Sequence, residues 1–117
     1  MVLRTRLPVF AVSVGPFIVT GAFFWRLYFW EQLAVIAHER AHIRRRHALY
    51  RVWWLITGQW QGLATRCKDQ ELQADRDAAL EGHAHGLLSF LNRVKPPPNS
   101  PWHPTHQERI SAIERML

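Results

Sequence analysis

Acidic residues, cysteine and unbroken apolar runs are what this chain is short of. Nine Asp and Glu face fifteen Lys and Arg, a formal net charge of +6. An excess of that sign admits acidic partners, but it speaks of fields and solubility rather than of mechanism. Arg40, Arg44, Arg45, Arg46 and Arg51 crowd into one stretch, and a solvated basic face accounts for such a run as simply as a polyanion site does. No recognition motif accompanies it, so no specific nucleic-acid partner is expected. The single cysteine, Cys67, excludes an intrachain disulfide, and nothing marks an oxidising compartment. A cytoplasmic location is therefore the expectation.

The longest stretch without a charge is 7–25, nineteen residues flanked by Arg4, Arg6 and Arg26. Its length suits a membrane span, yet Pro8, Gly15, Pro16 and Gly21 interrupt it. No small-residue cleavage site marks it as a signal peptide. Short strands explain it better: VFAVSV, a Gly15-Pro16 turn, then FIVT. Residues 8–20 are thus expected as a strand pair, with membrane association through 7–25 as the alternative.

What remains is enough for one domain, 1–117, with 48% hydrophobic residues and six Trp. Neither Gly nor Pro occurs between Ala22 and Ile56, and Leu27, Leu33, Ile36 and Ala37 recur at helical spacing. Region 22–56 therefore reads as one long helix or two abutting ones, ending in a turn at Gly58. A further helix is expected over 69–92, with Asp69 as its N-cap and Leu72, Ala79, Leu80, Leu87 and Leu91 as apolar positions. The run KPPPNSPWHP makes 93–104 a stiff loop. Thr105 and Glu108 form a T-x-x-E capping box that opens a last helix over 105–117. The fold class is α+β, mainly helical with a small N-terminal β-sheet.

The residues that carry chemistry sit in AVIAHERAHIRRRH. His38 and His42 are four apart, so on a helix both imidazoles reach one metal ion from the same face. Glu39 lies about 100° round from His38, close enough to hold a water but poorly placed as a ligand. Two neutral imidazoles and a nearby carboxylate suit Zn²⁺ and a general base. A catalytic zinc needs a third protein ligand, and Glu71 in QELQADRDAA is the candidate. Asp75, one turn further along, is placed to accept the outer N–H of a ligand histidine.

These segments resemble a family. AVIAHERAHIRRRH followed by ELQADRDAA is similar to the gluzincin metallopeptidases of the M48 and M56 groups, whose third ligand is the Glu of an ExxxD helix. The tail WHPTHQERISAI resembles the M48 pattern of a His-Pro followed by Arg-Ile, and VSVGPFIVTGAFFWRL looks like the strand and helix start that precede the active helix. The likeness covers roughly 9–117. It implies a zincin-like fold, a minimal domain similar to the minigluzincins, and one Zn²⁺ held by His38, His42 and Glu71. It also implies that His103 and Arg109, six residues apart, help bind substrate and the developing oxyanion. Trp102 departs from the family's small hydroxyl residue before His-Pro, and the several membrane spans of full-length relatives are missing.

The expected activity is that of a zinc-dependent metalloendopeptidase. Zinc lowers the pKa of its bound water towards about 7, and Glu39 deprotonates that water as it attacks a peptide carbonyl. A peptide or protein substrate is expected to lie extended along a strand edge within 8–20. The alternatives are a non-catalytic zinc-binding pseudo-peptidase or regulatory domain, and a basic membrane-associated protein. Of the other histidines, His47 follows His42 by five and so points away from the metal face; it reads as a structural or surface histidine, although a histidine also occurs there in the relatives this chain resembles. His83 and His85 diverge on a solvated face, and His106 is expected to be exposed.

Overall fold

The computed structural model describes residues 2–117. Its sheet has three strands in the order β1-β3-β2: β1 (Val2–Arg4), β2 (Ala11–Val14) and β3 (Phe17–Thr20). β2 and β3 form the expected hairpin, antiparallel from Ala11 opposite Thr20 to Val14 opposite Phe17. Gly15 turns the corner at φ +56°, a conformation that side chains resist. β1 was not foreseen; it joins β3 in parallel, and the buried Thr20 hydroxyl donates to Leu3 O at 3.1 Å. β2 is left as an edge. The apolar run 7–25 is therefore strand, turn and 3-10 helix, and no helix among the described residues is long and apolar enough to cross a membrane.

Helix α1 (Phe29–Arg44) starts later than the expected 22. A 3-10 turn fills Phe24–Arg26, and Leu27 and Tyr28 are extended before the helix begins. Its first turn is fixed by Glu31, which accepts from the Tyr28 amide (2.9 Å), from Ser89 (2.7 Å) and from the guanidinium of Arg93. Burial alone would raise the Glu31 carboxyl, but these partners hold it below its ordinary 4.5.

The region 22–56 is broken again at Arg45 and Arg46. Arg46 adopts the left-handed conformation (φ 55°, ψ 38°), and α2 (His47–Ile56) sets off in a new direction. The outward face of α2, with Leu49, Val52, Trp53 and Ile56, is exposed. Two members of the arginine run tie the end of α1 to residues 77–81: Arg45 grips Asp77 with two bonds (2.6 and 2.9 Å), and Arg44 reaches Glu81 at 2.9 Å.

Helix α3 (Leu63–Ala78) begins six residues before the expected Asp69, directly after Gly62 at φ +71°. Residues 63–68, LATRCK, contain no helix breaker, so packing carries the helix back to Leu63 and Asp69 lies inside it. The expected helix over 69–92 is two helices. A π-turn at Ala79–His83, with Gly82 at φ +99°, separates α3 from α4 (Ala84–Arg93). After the proline-rich loop, α5 (His106–Glu114) starts as expected from Thr105, whose hydroxyl accepts from the Glu108 amide at 3.1 Å.

Helix α1 is the centre of the packing, meeting α3, α4 and β2. Phe24, Leu27, Ala34, Val35, Leu87, Phe90, Leu91, Ile110 and Ile113 make one buried cluster. A fully buried Leu87 or Ile113 contributes about 1.5–3 kcal/mol. Phe10 closes the cluster from the sheet side, edge-on to Phe90 at 5.1 Å. The architecture is α+β, mostly helical with a small sheet, and α1 and α3 pack so that the HExxH and ExxxD segments face each other.

Candidate metal centre

One turn of α1 carries His38 and His42, and the middle of α3 brings Glu71 up to them. His38 Nε2 lies 3.0 Å from His42 Nε2 and 3.0 Å from Glu71 Oε2, and His42 Nε2 lies 3.2 Å from the same oxygen. These three atoms can hold one metal ion. Nitrogen and oxygen ligands at about 2.0–2.1 Å from a tetrahedral zinc stand about 3.3 Å apart, so the observed triangle is nearly the right size. Both histidines are buried, and Glu71 is partly so.

The charges balance around this triangle. Burial alone would push His38 down, but its bonds to Asp75 and Glu71 outweigh this and raise it from 6.5 to about 9. Burial pushes the Glu71 carboxyl up, and His38 and His42 more than reverse it, holding it far below the usual 4.5. Arg51 of α2 adds a longer contact to Oε1 of Glu71 at 3.4 Å and bonds Gln70 at 2.5 Å.

Asp75 sits where its spacing predicts. It is 1% exposed, and its Oδ1 accepts from Nδ1 of His38 at 2.7 Å. Arg109 donates to it through two parallel bonds of 2.7 Å. Burial works against the Asp75 charge, yet Arg109 and His38 bring it down to about 2. Arg109 is thus committed to Asp75, and it meets the metal triangle through that carboxylate.

A cleft of about 620 Å³ opens beside the triangle, lined by Glu39, His103 and Arg109 together with Val9 and Phe10, just before β2, and Ala11, its first residue. Glu39 is buried, and His103 is exposed on the proline-rich loop. The expected residues therefore converge: three around one point, Asp75 and Arg109 behind them, Glu39 and His103 on the cleft. His83 is half-buried and His85 exposed, both apart from the triangle. His106 departs from expectation, being half-buried with Nδ1 donating to Leu91 O at 3.2 Å. Cys67 is buried and free, and burial pushes its thiol up.

One residue does not point where its spacing suggests. His47 is 4% exposed, and its Nδ1 lies 2.7 Å from Nδ1 of His42. Five residues along a continuous helix are about 140° out of line, but the break at Arg46 resets the direction and swings the ring back. Burial, followed by the charges of His42, Arg51 and Arg45, pushes His47 down to about 4. Nothing in the sequence announces that break, since neither Gly nor Pro is there. No protein-family model, curated protein or solved structure matches the chain. The gluzincin likeness rests on its three motifs.

Proposed function

We propose that the chain is a zinc metalloendopeptidase of gluzincin type, with His38, His42 and Glu71 as the metal ligands. The observation that carries this is the convergence of those three ligand atoms within 3.2 Å of one another, from two helices, at the wall of a cleft that also holds Glu39. When bound, Zn²⁺ supplies a Lewis acid that polarises a carbonyl and makes water more acidic. A histidine–histidine–carboxylate set suits that ion.

The remaining chemistry belongs to the side chains. Glu39 takes one proton from the water that attacks the scissile carbonyl carbon and delivers it to the departing amine as the C–N bond breaks. His103, at the exposed rim, donates to the oxygen on which negative charge develops. Arg109 holds Asp75, and Asp75 holds His38 through its outer nitrogen, so the ring presents Nε2 to the site. The open edge of β2 begins at the same cleft, and an extended peptide can add to it through main-chain bonds. Such binding is tolerant of sequence.

The test is to measure zinc bound to the purified chain and to compare it with Glu39→Gln on an unstructured protein substrate. Stoichiometric zinc is expected, with cleavage reduced at least a hundredfold in the variant. Zinc uptake with equal cleavage by both proteins rejects the peptidase and leaves a non-catalytic zinc module. A folded chain that takes up no zinc rejects both.

A further inference from the structure

The two ligand histidines need outside partners of different kinds, and only His38 obtains one from the ExxxD helix. His38 Nδ1 is served by Asp75. His42 is buried, and among the described residues its Nδ1 has one hydrogen-bond partner, the ring of His47 at 2.7 Å. We propose that His47 is a positioning residue for the metal centre, accepting the Nδ1–H of His42 and so holding His42 in the tautomer whose Nε2 lone pair faces His38 and Glu71.

The direction of the chain of bonds follows from the donors present. Gln73 turns its carbonyl oxygen to Nε2 of His47 at 3.2 Å, so that nitrogen carries the proton. A neutral imidazole with its proton on Nε2 can only accept at Nδ1. His42 must then donate from Nδ1, which leaves its Nε2 as a lone pair directed into the triangle. His47 belongs to α2 and Gln73 to α3, so two elements fix the orientation of one α1 side chain.

A plain packing role explains this less well. A ring that is 4% exposed fills space as cheaply when apolar, and burying two ring nitrogens is costly unless both are bonded. Both are. The geometry also depends on Arg46, a non-glycine residue held at φ 55°, where the left-handed conformation costs about 1 kcal/mol or more. Without that turn a residue five positions after His42 faces elsewhere.

This inference rests on the metal reading, and its test separates the two. Zinc affinity is measured by competition with a chromophoric chelator for the wild-type chain, His47→Leu and His47→Asn, with the fold of each checked by circular dichroism. His47→Leu keeps the bulk and removes the acceptor; His47→Asn restores an oxygen near the position of Nδ1. Zinc affinity is expected to fall ten- to a hundredfold in the Leu variant and to return most of the way in the Asn variant. Nitrogen-15 NMR of the metal-free wild-type chain at neutral pH gives a readout that needs no variant: His42 is expected as the Nδ1–H tautomer and His47 as the Nε2–H tautomer. An Nε2–H tautomer at His42, or equal zinc affinity in wild type and His47→Leu, overturns the role of His47 alone. Failure of the folded wild-type chain to take up zinc overturns the metal reading and this role with it.

Discussion

Replacing Asp75 by Asn tests whether the outer bonds of the site work as one unit. The amide keeps the volume of the carboxylate and removes its charge. Arg109, whose side chain is only 16% exposed, then faces a neutral amide whose single oxygen replaces two charged acceptors, and His38 keeps at most a neutral acceptor for its Nδ1–H. Removing one partner of a buried pair costs about 3–5 kcal/mol, and the partial exposure of Arg109 places this case near 3 kcal/mol. A domain of this size has about 5–15 kcal/mol in total, so the variant folds but with a clearly lower urea midpoint. Arg109→Met removes the cation instead; Asp75 keeps His38, so a loss of about 2 kcal/mol is expected. The double variant Asp75→Asn/Arg109→Met no longer buries an unpaired guanidinium and should recover at least about 2 kcal/mol relative to the sum of the single losses. Urea unfolding of the metal-free proteins at neutral pH measures all four corners of the cycle. Additivity within about 0.5 kcal/mol would refute the coupling and leave Asp75 and Arg109 as neighbours that merely touch.

Gly86 tests the packing of α4 on α1. A methyl group there would meet Trp30 O at 2.5 Å and the Ala34 side chain at 2.9 Å. Gly86→Ala is therefore expected to lose about 1–3 kcal/mol by overpacking despite a gain of about 1 kcal/mol in helix propensity; a more stable variant by thermal unfolding would refute the close contact. Glu31 tests acid sensitivity away from the metal triangle. Its folded pKa lies below 4.5, so its contribution is complete above 4.5 and is lost as pH falls through the folded value. Glu31→Gln should be less stable than wild type at neutral pH, with the difference shrinking on acidification; a gap that does not change with pH contradicts the assignment.

Much of the site could be read from the chain because its logic is local. HExxH and ExxxD each set their residues by helical spacing, and that spacing survives wherever the helix begins. The misplaced starts of α1 and α3 therefore did not disturb the three residues that converge. The hairpin was legible because Gly15 and Pro16 mark its turn. β1 was not: its partner Ile18 lies far along the chain from Val2, and its three residues are exposed and carry no core pattern. Asp69 looked like a cap because acids favour that position, but a polar residue on the exposed side of a longer helix has the same appearance. His47 reads as pointing off the metal face for a different reason. Its direction is decided by the backbone of Arg46, a residue type that rarely adopts the left-handed conformation and gives no sign of doing so.

Helix α2 has two occupations that share ten residues. Outward it shows Leu49, Val52, Trp53 and Ile56 to solvent; inward, His47 and Arg51 end on His42 and Glu71. Those two side chains are four apart, so one stripe of the helix reaches two corners of the triangle. Whatever fills the space between His38, His42 and Glu71 uses two groups in their braced positions and therefore favours the seated α2. Whatever draws α2 away by its outward face loosens both braces together. The two effects are reciprocal by thermodynamic necessity: the factor by which occupancy of the triangle seats the helix is the factor by which unseating the helix weakens occupancy.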